Sequence, residues 1–368
     1  MPSNQLVPAD YHIVVPIFNE GDDLENILEK IKSLGYLHKI TFVNDASTDN
    51  SKTILEHWQA REAIEAVHLK ENKKKEGAIC EVLEMLKEQG RLSDKIILLD
   101  EDSFLVPKKE GMDLEEVIAQ ASAYMDQENV AGMAFRMDPL LPENPNFLQK
   151  SQYAEYSAVR FWNKITSRQE QLWVINGPGG IFRGELLLAT LRDMVPDFET
   201  GDLLITVKMM KDGHRIDYYT DIKVQTTVPK TARELFKQRR RWERGTTKVL
   251  FSEKGFYFKQ FVDRKILALQ TAINLLVPVG IFVQIARIPF LDIKGSVIGL
   301  FINYGFWMTF NGAVVLFDSD ARKEGDRLRI IKWFFLQGFA YTAIAVPARV
   351  AGFYGAVKYL IFNRPAKI

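Results

Sequence analysis

Asp100, Glu101 and Asp102 follow the apolar run Ile96–Leu99 in a chain of 368 residues. Four apolar residues make a short buried strand, and ligands of an open α/β sheet sit outside the carboxyl ends of its strands. Two carboxylates spaced by one residue at such an edge repel each other unless a positive charge lies between them. A hard divalent cation carrying a diphosphate answers that need, because magnesium takes a few carboxylates together with phosphate oxygens. Taken alone, the triplet reads equally well as an acidic turn that caps a strand. Another carboxylate, Asp202, falls at the start of the helical pattern Leu203–Lys211. The helix dipole favours its ionised form there, so it reads as an N-cap, a functional carboxylate, or both. Lys73–Lys75 precede a further helix start, a place where a diphosphate can bind, although such a run also serves as solvated surface. The glycine-rich loop Asn176–Gly180 lets backbone approach a ligand closely.

The elements that must position these groups alternate. Tyr11–Pro16, Lys39–Val43, Ala63–Leu69 and Ile96–Leu99 read as strands. Between them, helices are expected from Asp22 to Ser33, Asn50 to Arg61 and Gly77 to Gln89. This order predicts an α/β domain with a mostly parallel central sheet and helices on both faces. Beyond Asp102 the pattern is less regular: a helix over Asp113–Gln127, a strand over Val130–Arg136, a proline-rich connection and a long helix over Phe147–Arg168. The first strand–helix loop carries no G-x-G-x-x-G, which argues against a dinucleotide-dependent dehydrogenase, and there is also no Gly-Lys-Ser/Thr P-loop. The net charge of +1 gives no reason to expect nucleic acid as a partner. The single cysteine, Cys80, excludes an internal disulfide framework and fits a reducing compartment. Met1–Asp10 is polar and has no signal-peptide pattern.

Three apolar runs follow, over residues 266–286, 295–317 and 333–357, the last interrupted only by Arg349. Each is long enough to cross a hydrocarbon core of ~30 Å. The expected organisation is therefore a cytoplasmic α/β domain over 1–250, an interfacial linker helix over 251–262 and a membrane domain over 263–368 with about three spans. The loop between the second and third runs holds Arg322, Lys323, Arg327, Arg329 and Lys332, so the positive-inside rule puts it on the cytoplasmic side. Gln238-Arg239-Arg240-Arg241-Trp242 precede the first run. Basic residues there read as lipid-facing anchors and the Trp as an interfacial belt residue.

Taken together and in order, these motifs resemble the family-2 glycosyltransferases, in particular the membrane-bound group of cellulose, chitin, hyaluronan and poly-N-acetylglucosamine synthases. Val15-Pro16-Ile17-Phe18-Asn19-Glu20 is similar to the opening strand motif, and Asn44-Asp45-Ala46-Ser47-Thr48-Asp49 to the nucleoside-binding loop. Lys75 stands at the lysine of the family's Gly-Lys motif, Asp100-Glu101-Asp102 resembles its D-x-D, and Thr200-Gly201-Asp202 its Thr-Glu-Asp. Gln238–Trp242 matches Q-x-x-R-W of the processive members. The resemblance covers roughly residues 11–250 and departs from the motifs at two positions. Lys74 replaces the glycine of Gly-Lys, and Gly201 replaces the glutamate beside the base.

The resemblance implies a GT-A fold and inverting transfer of a sugar from a nucleotide-diphosphate sugar, expected to be a UDP-sugar, to a growing β-linked polysaccharide. It implies that Asp45 holds the base, that Pro16, Phe18 and Glu20 line the nucleoside site, and that Lys75, Gln238 and Arg241 serve the diphosphate. Asp102, with Asp100 facing the metal or the ribose, would bind Mg²⁺ or Mn²⁺. Asp202 would be the general base, and Trp242 would stack on the acceptor. Three spans are few for a polymer channel. That favours a monotransferase acting on a lipid acceptor such as a polyprenyl phosphate or glycolipid, or else a homo-oligomer or a separate export partner. A non-catalytic membrane scaffold is a third reading, opposed by the presence of Asp45, Asp100, Asp102 and Asp202. On any of them the protein is expected to be integral to a plasma or inner membrane.

Overall fold

Tyr11–Ile17 forms β1, almost wholly buried, as its run of apolar and β-branched residues requires of a strand covered on both faces. The computed structural model describes residues 9–62, 64–167, 172–194, 199–263 and 344–362. Around β1 the expected alternation is present: α1 Asp23–Ser33, β2 Ile40–Asn44, α2 Ser51–Glu62, β3 Glu65–His68, α3 Lys74–Glu88 and β4 Lys95–Leu99. β2 and β4 both pair with β1 in parallel, and β3 pairs with β2 in parallel. The largest boundary shift among these elements is at α3, which starts at Lys74 rather than Gly77, so Lys74 and Lys75 lie in its first turn.

Past β4 the sheet changes direction. The next elements are β5 Ser103–Pro107, α4 Leu114–Gln127, β6 Val130–Pro139, α5 Phe147–Ser167, β7 Gly179–Arg183, α6 Gly184–Arg192, α7 Gly201–Lys211 and β8 Arg215–Thr226. β7 runs antiparallel to both β4 and β6, and β5 antiparallel to β8. The eight described strands lie in the order β3-β2-β1-β4-β7-β6-β8-β5. Gly179 and Gly180, read above as loop, are therefore strand residues. A side chain at Gly179 would begin 2.3 Å from a Val224 methyl carbon, so tight packing on β8 explains that glycine.

The chain divides into two compact units, residues 1–137 with 174–226, and residues 138–173 with 227–368. The first holds the sheet and a core that includes Ile13, Phe42, Trp58 and Ile97. Its one fully buried lysine among the described residues, Lys95, is paired with Asp94 and with Asp126 at 2.9 Å, as burial of an ammonium demands.

The second unit contains α5 together with α8 Ala232–Ser252, α9 Lys254–Asp263 and α10 Val346–Phe362. α8 opens with a capping box: the Thr231 hydroxyl accepts from the Glu234 amide, and the Glu234 carboxylate accepts from the Thr231 amide. Helix α10 packs along α8, where Gly352 lies against the Arg240 carbonyl, Arg349 faces Glu243 at 3.9 Å and the Lys248 ammonium sits 3.8 Å above the Tyr359 ring. The expected spans 266–286 and 295–317 lie outside the described residues, as does the first part of 333–357. Among the described residues no helix is long and apolar enough to cross a membrane.

Candidate active site

In the first unit the expected donor residues collect at the carboxyl ends of β1, β2 and β4. Pro16 is buried within β1, opposite Val43, whereas Phe18 just beyond it is 48% exposed. The loops after β1 and β2 are tied to each other. Asn19 accepts from the Thr48 amide at 2.8 Å, and Ser47 Oγ accepts from the Asn19 amide at 3.1 Å. Ser51 Oγ accepts from the amides of Glu20 and Gly21. Asn19, Ala46 and Lys74 adopt left-handed backbone with φ of 60°, 55° and 64°. Such φ values are uncommon outside glycine and accompany tight, over-determined loops. Asp45 is buried, and its Oδ1 accepts from the Lys73 amide at 2.7 Å while its carbonyl accepts from Asn72 Nδ2 at 3.1 Å. One oxygen of the expected base-holding carboxylate thus also fixes the entry to α3.

That entry aims Lys75. Its ammonium pairs with Asp100 and lies 3.4 Å from the Gly177 carbonyl. Burial works against the charged amine, but Asp100, Glu76 and Asp202 outweigh it and hold Lys75 above the ordinary lysine range. Gly177 uses both ends of its peptide group: its carbonyl faces Lys75, and its amide donates to Asp202 Oδ2 at 2.9 Å. Asp202 Oδ1 accepts from the Leu203 amide at 2.8 Å, in the first turn of α7. Burial raises the Asp202 carboxyl above its usual range, while Lys75 and the two amides restrain that rise. A carboxylate held in place by backbone donors and made more basic by burial suits proton acceptance.

Asp100-Glu101-Asp102 forms the short connection between β4 and β5, closed by the Ser103 amide donating to the Asp100 carbonyl at 3.1 Å. Asp102 Oδ1 accepts from Ser103 Oγ and Thr226 Oγ1, each at 3.2 Å. Glu101 is pushed well above the ordinary carboxylate range by burial, with Asp100, Glu20 and Asp102 adding to the effect. Glu20 is raised by burial and then by Asp102. Among the described residues no three His, Cys, Asp or Glu side chains are placed to hold a metal by themselves. The donor set does fit a divalent cation that completes its shell with phosphate oxygens, because Asp102, Glu101 and Glu20 concentrate negative charge that burial disfavours. A cation drawing on Asp100 as well would compete with Lys75.

In the second unit Gln238, Arg241 and Trp242 lie on α8. Arg241 is exposed, and Gln238 Oε1 accepts from Arg239 Nη1 at 2.7 Å. The buried Arg239 pairs with Glu155 and stacks 4.2 Å from the Trp242 ring centroid. The ring expected to carry the acceptor thus already has a guanidinium on one face.

Two participants escaped the sequence reading. Gly177 acts through its backbone alone, and its only trace in the sequence was the glycine-rich loop. Glu76, which lies beside Lys75 and Asp202, has the one signal of adjacency to the Gly-Lys motif position.

The family model "Glycosyl transferase family 2" matches residues 12–159, and the model "Glycosyl transferase family group 2" matches residues 95–354. A poly-beta-1,6-N-acetyl-D-glucosamine synthase from Staphylococcus aureus is 26% identical over 248 residues, covering 64% of this chain and 54% of that protein. The Staphylococcus epidermidis protein of the same name is 24% identical over 240 residues. This chain thus spans about half the length of the curated relatives it matches. A mannosyltransferase from Pyrobaculum calidifontis, solved in complex with GDP-Man and Mn²⁺, shares the fold with a TM-score of 0.53 at 15% identity, covering 91% of this chain and 90% of that one. With a GT-A-like sheet, the acidic turn after β4 and a family match over most of its length, the chain belongs to the family-2 glycosyltransferases.

Proposed function

We propose that the protein transfers a sugar, with inversion, from a nucleotide-diphosphate sugar to a glycan at a membrane. The observation that carries this reading is the Asp202 carboxylate, fixed by the amides of Gly177 and Leu203 beside the Lys75–Asp100 pair. Asp202 takes the proton from the acceptor hydroxyl as that oxygen attacks C1 opposite the leaving diphosphate. Lys75 offers its ammonium to the diphosphate, and Asp45, Pro16, Phe18 and Glu20 serve the nucleoside. Asp102, with Asp100, would hold Mg²⁺ or Mn²⁺, which supplies charge neutralisation on the leaving group. Gln238 and Arg241 are assigned to the diphosphate, since a guanidinium matches phosphate oxygens, and Trp242 to the acceptor.

A UDP-sugar donor and a polymeric product are supported by the similarity to poly-N-acetylglucosamine synthases, and a divalent cation by the Mn²⁺ in the mannosyltransferase complex. Anchoring in a plasma or inner membrane, with the catalytic unit in the cytoplasm, is supported by the apolar runs after residue 265. One observation favours single transfer to a lipid acceptor instead: Arg239 already covers a face of Trp242, which leaves less aromatic surface for a moving chain.

A radiolabelled sugar-transfer assay on membranes carrying the protein tests these readings. General-base catalysis contributes ~10²–10⁴-fold, so Asp202→Asn is expected to lose nearly all transfer while donor affinity stays within a few-fold. EDTA is expected to abolish transfer by the wild type. Polymer or a singly glycosylated lipid in the product separates the two acceptor readings, and undiminished transfer by Asp202→Asn would remove Asp202 from the mechanism.

A further inference from the structure

Gly201 replaces a glutamate of the family motif, directly before Asp202. In the structure it opens α7, and a Cβ built on it would lie 1.8 Å from Glu76 Oε1, 2.1 Å from Cδ and 2.5 Å from Cγ. Three consecutive atoms of the Glu76 side chain therefore cross the space that any side chain at 201 would need. Glu76 reaches there from the first turn of α3, next to Lys75. An acidic residue in the first turn of a helix is ordinarily a solvated one that gains from the dipole. Glu76 is half-buried and is raised above the ordinary carboxylate range by burial first, with Asp202 and Asp100 adding and Lys75 opposing. A carboxylate costs free energy in such surroundings, so its presence over Gly201 calls for a reason.

We infer that Glu76 is a positioning residue for the transfer reaction: it supplies from α3 the second carboxylate that the family motif supplies from position 201, and acts through Lys75 and Asp202. This rests on Asp202 being the base. Glu76 fills the space over Gly201 and so packs beside Asp202 and next to Lys75, which contacts Asp100 and the Gly177 carbonyl. Its negative charge beside Asp202 makes proton uptake there more favourable, which strengthens the base. Gly201 makes the arrangement possible by having no Cβ.

Turnover and donor KM are measured on membranes for wild type, Glu76→Gln, Glu76→Ala, Gly201→Ala, Glu76→Ala/Gly201→Glu and Asp202→Asn, with melting followed on the purified proteins. Glu76→Gln is nearly isosteric and is expected to keep its melting temperature and donor KM while kcat falls by roughly ten-fold or more. Gly201→Ala adds only the Cβ that displaces Glu76 and is expected to lose kcat likewise. The double variant, which returns a carboxylate from position 201, is expected to recover much of what Glu76→Ala loses. Wild-type kcat in Glu76→Gln, or a folded double variant no faster than Glu76→Ala, overturns the inference. Asp202→Asn separates the failures. If it stays active, the base assignment is wrong; if it is inactive while Glu76→Gln is normal, only the role of Glu76 is wrong.

Discussion

Lys74, a residue with a Cβ, has a left-handed backbone, with φ of 64°. Glycine adopts that conformation without the Cβ clash that costs other residues ~1–2 kcal/mol. Lys74→Gly is therefore expected to stabilise the folded protein by about 1 kcal/mol, read as a small rise in the melting temperature; a fall would show that the loop bears no strain there. Position 74 was visible in the sequence as a departure from the motif. That its backbone is left-handed was not visible, because residue identity does not report φ. Asp202 carries a pH consequence. Burial raises its carboxyl, so the proton stays on to higher pH than for an ordinary aspartate. A base must be ionised, and transfer is therefore expected to decline on the acid side while the pH is still above the usual aspartate range. A pH profile of kcat whose acid limb falls in the ordinary aspartate range would contradict this. The clamp on Asp202 had no side-chain signature, since Gly177 contributes only its N–H and C=O.

At the scale of elements, the parallel half of the sheet was legible because its strands are continuous apolar runs separated by helical patterns. Of the antiparallel half, β6 was legible from the run Val130–Arg136 but β7 and β8 were not. β7 begins with two glycines, and β8 mixes buried and half-exposed positions without strict alternation. Neither gives the period of a strand, and both are specified by pairing with distant partners. Helix α10 was read only as part of a longer apolar run, with Arg349 as an interruption. In the structure Arg349 faces Glu243 of α8, and burial raises the Glu243 carboxyl while the guanidinium opposes that rise. These helices approach closely at Gly352, where an added Cβ would lie 2.5 Å from the Arg240 carbonyl oxygen and 2.8 Å from Glu243 Cβ. Gly352→Leu is therefore expected to push α10 off α8, at a cost of about 1–3 kcal/mol, and to speed limited proteolysis in α10. Tyr354→Ala, at a side chain 61% exposed, is expected to leave the cleavage rate unchanged.

For the whole molecule, the strongest sequence signal outside the catalytic motifs is the apolar tail. The proposed anchoring predicts that the protein stays with the membrane pellet through carbonate extraction; recovery in the supernatant would refute it. The family motifs were legible because each is a short local string, whereas the pairing of position 76 with position 201 joins two strings that are distant in the chain. A side chain at 201 and Glu76 in its present place exclude each other. What one position tolerates is thus set by what occupies the other, and the two are expected to change together or not at all.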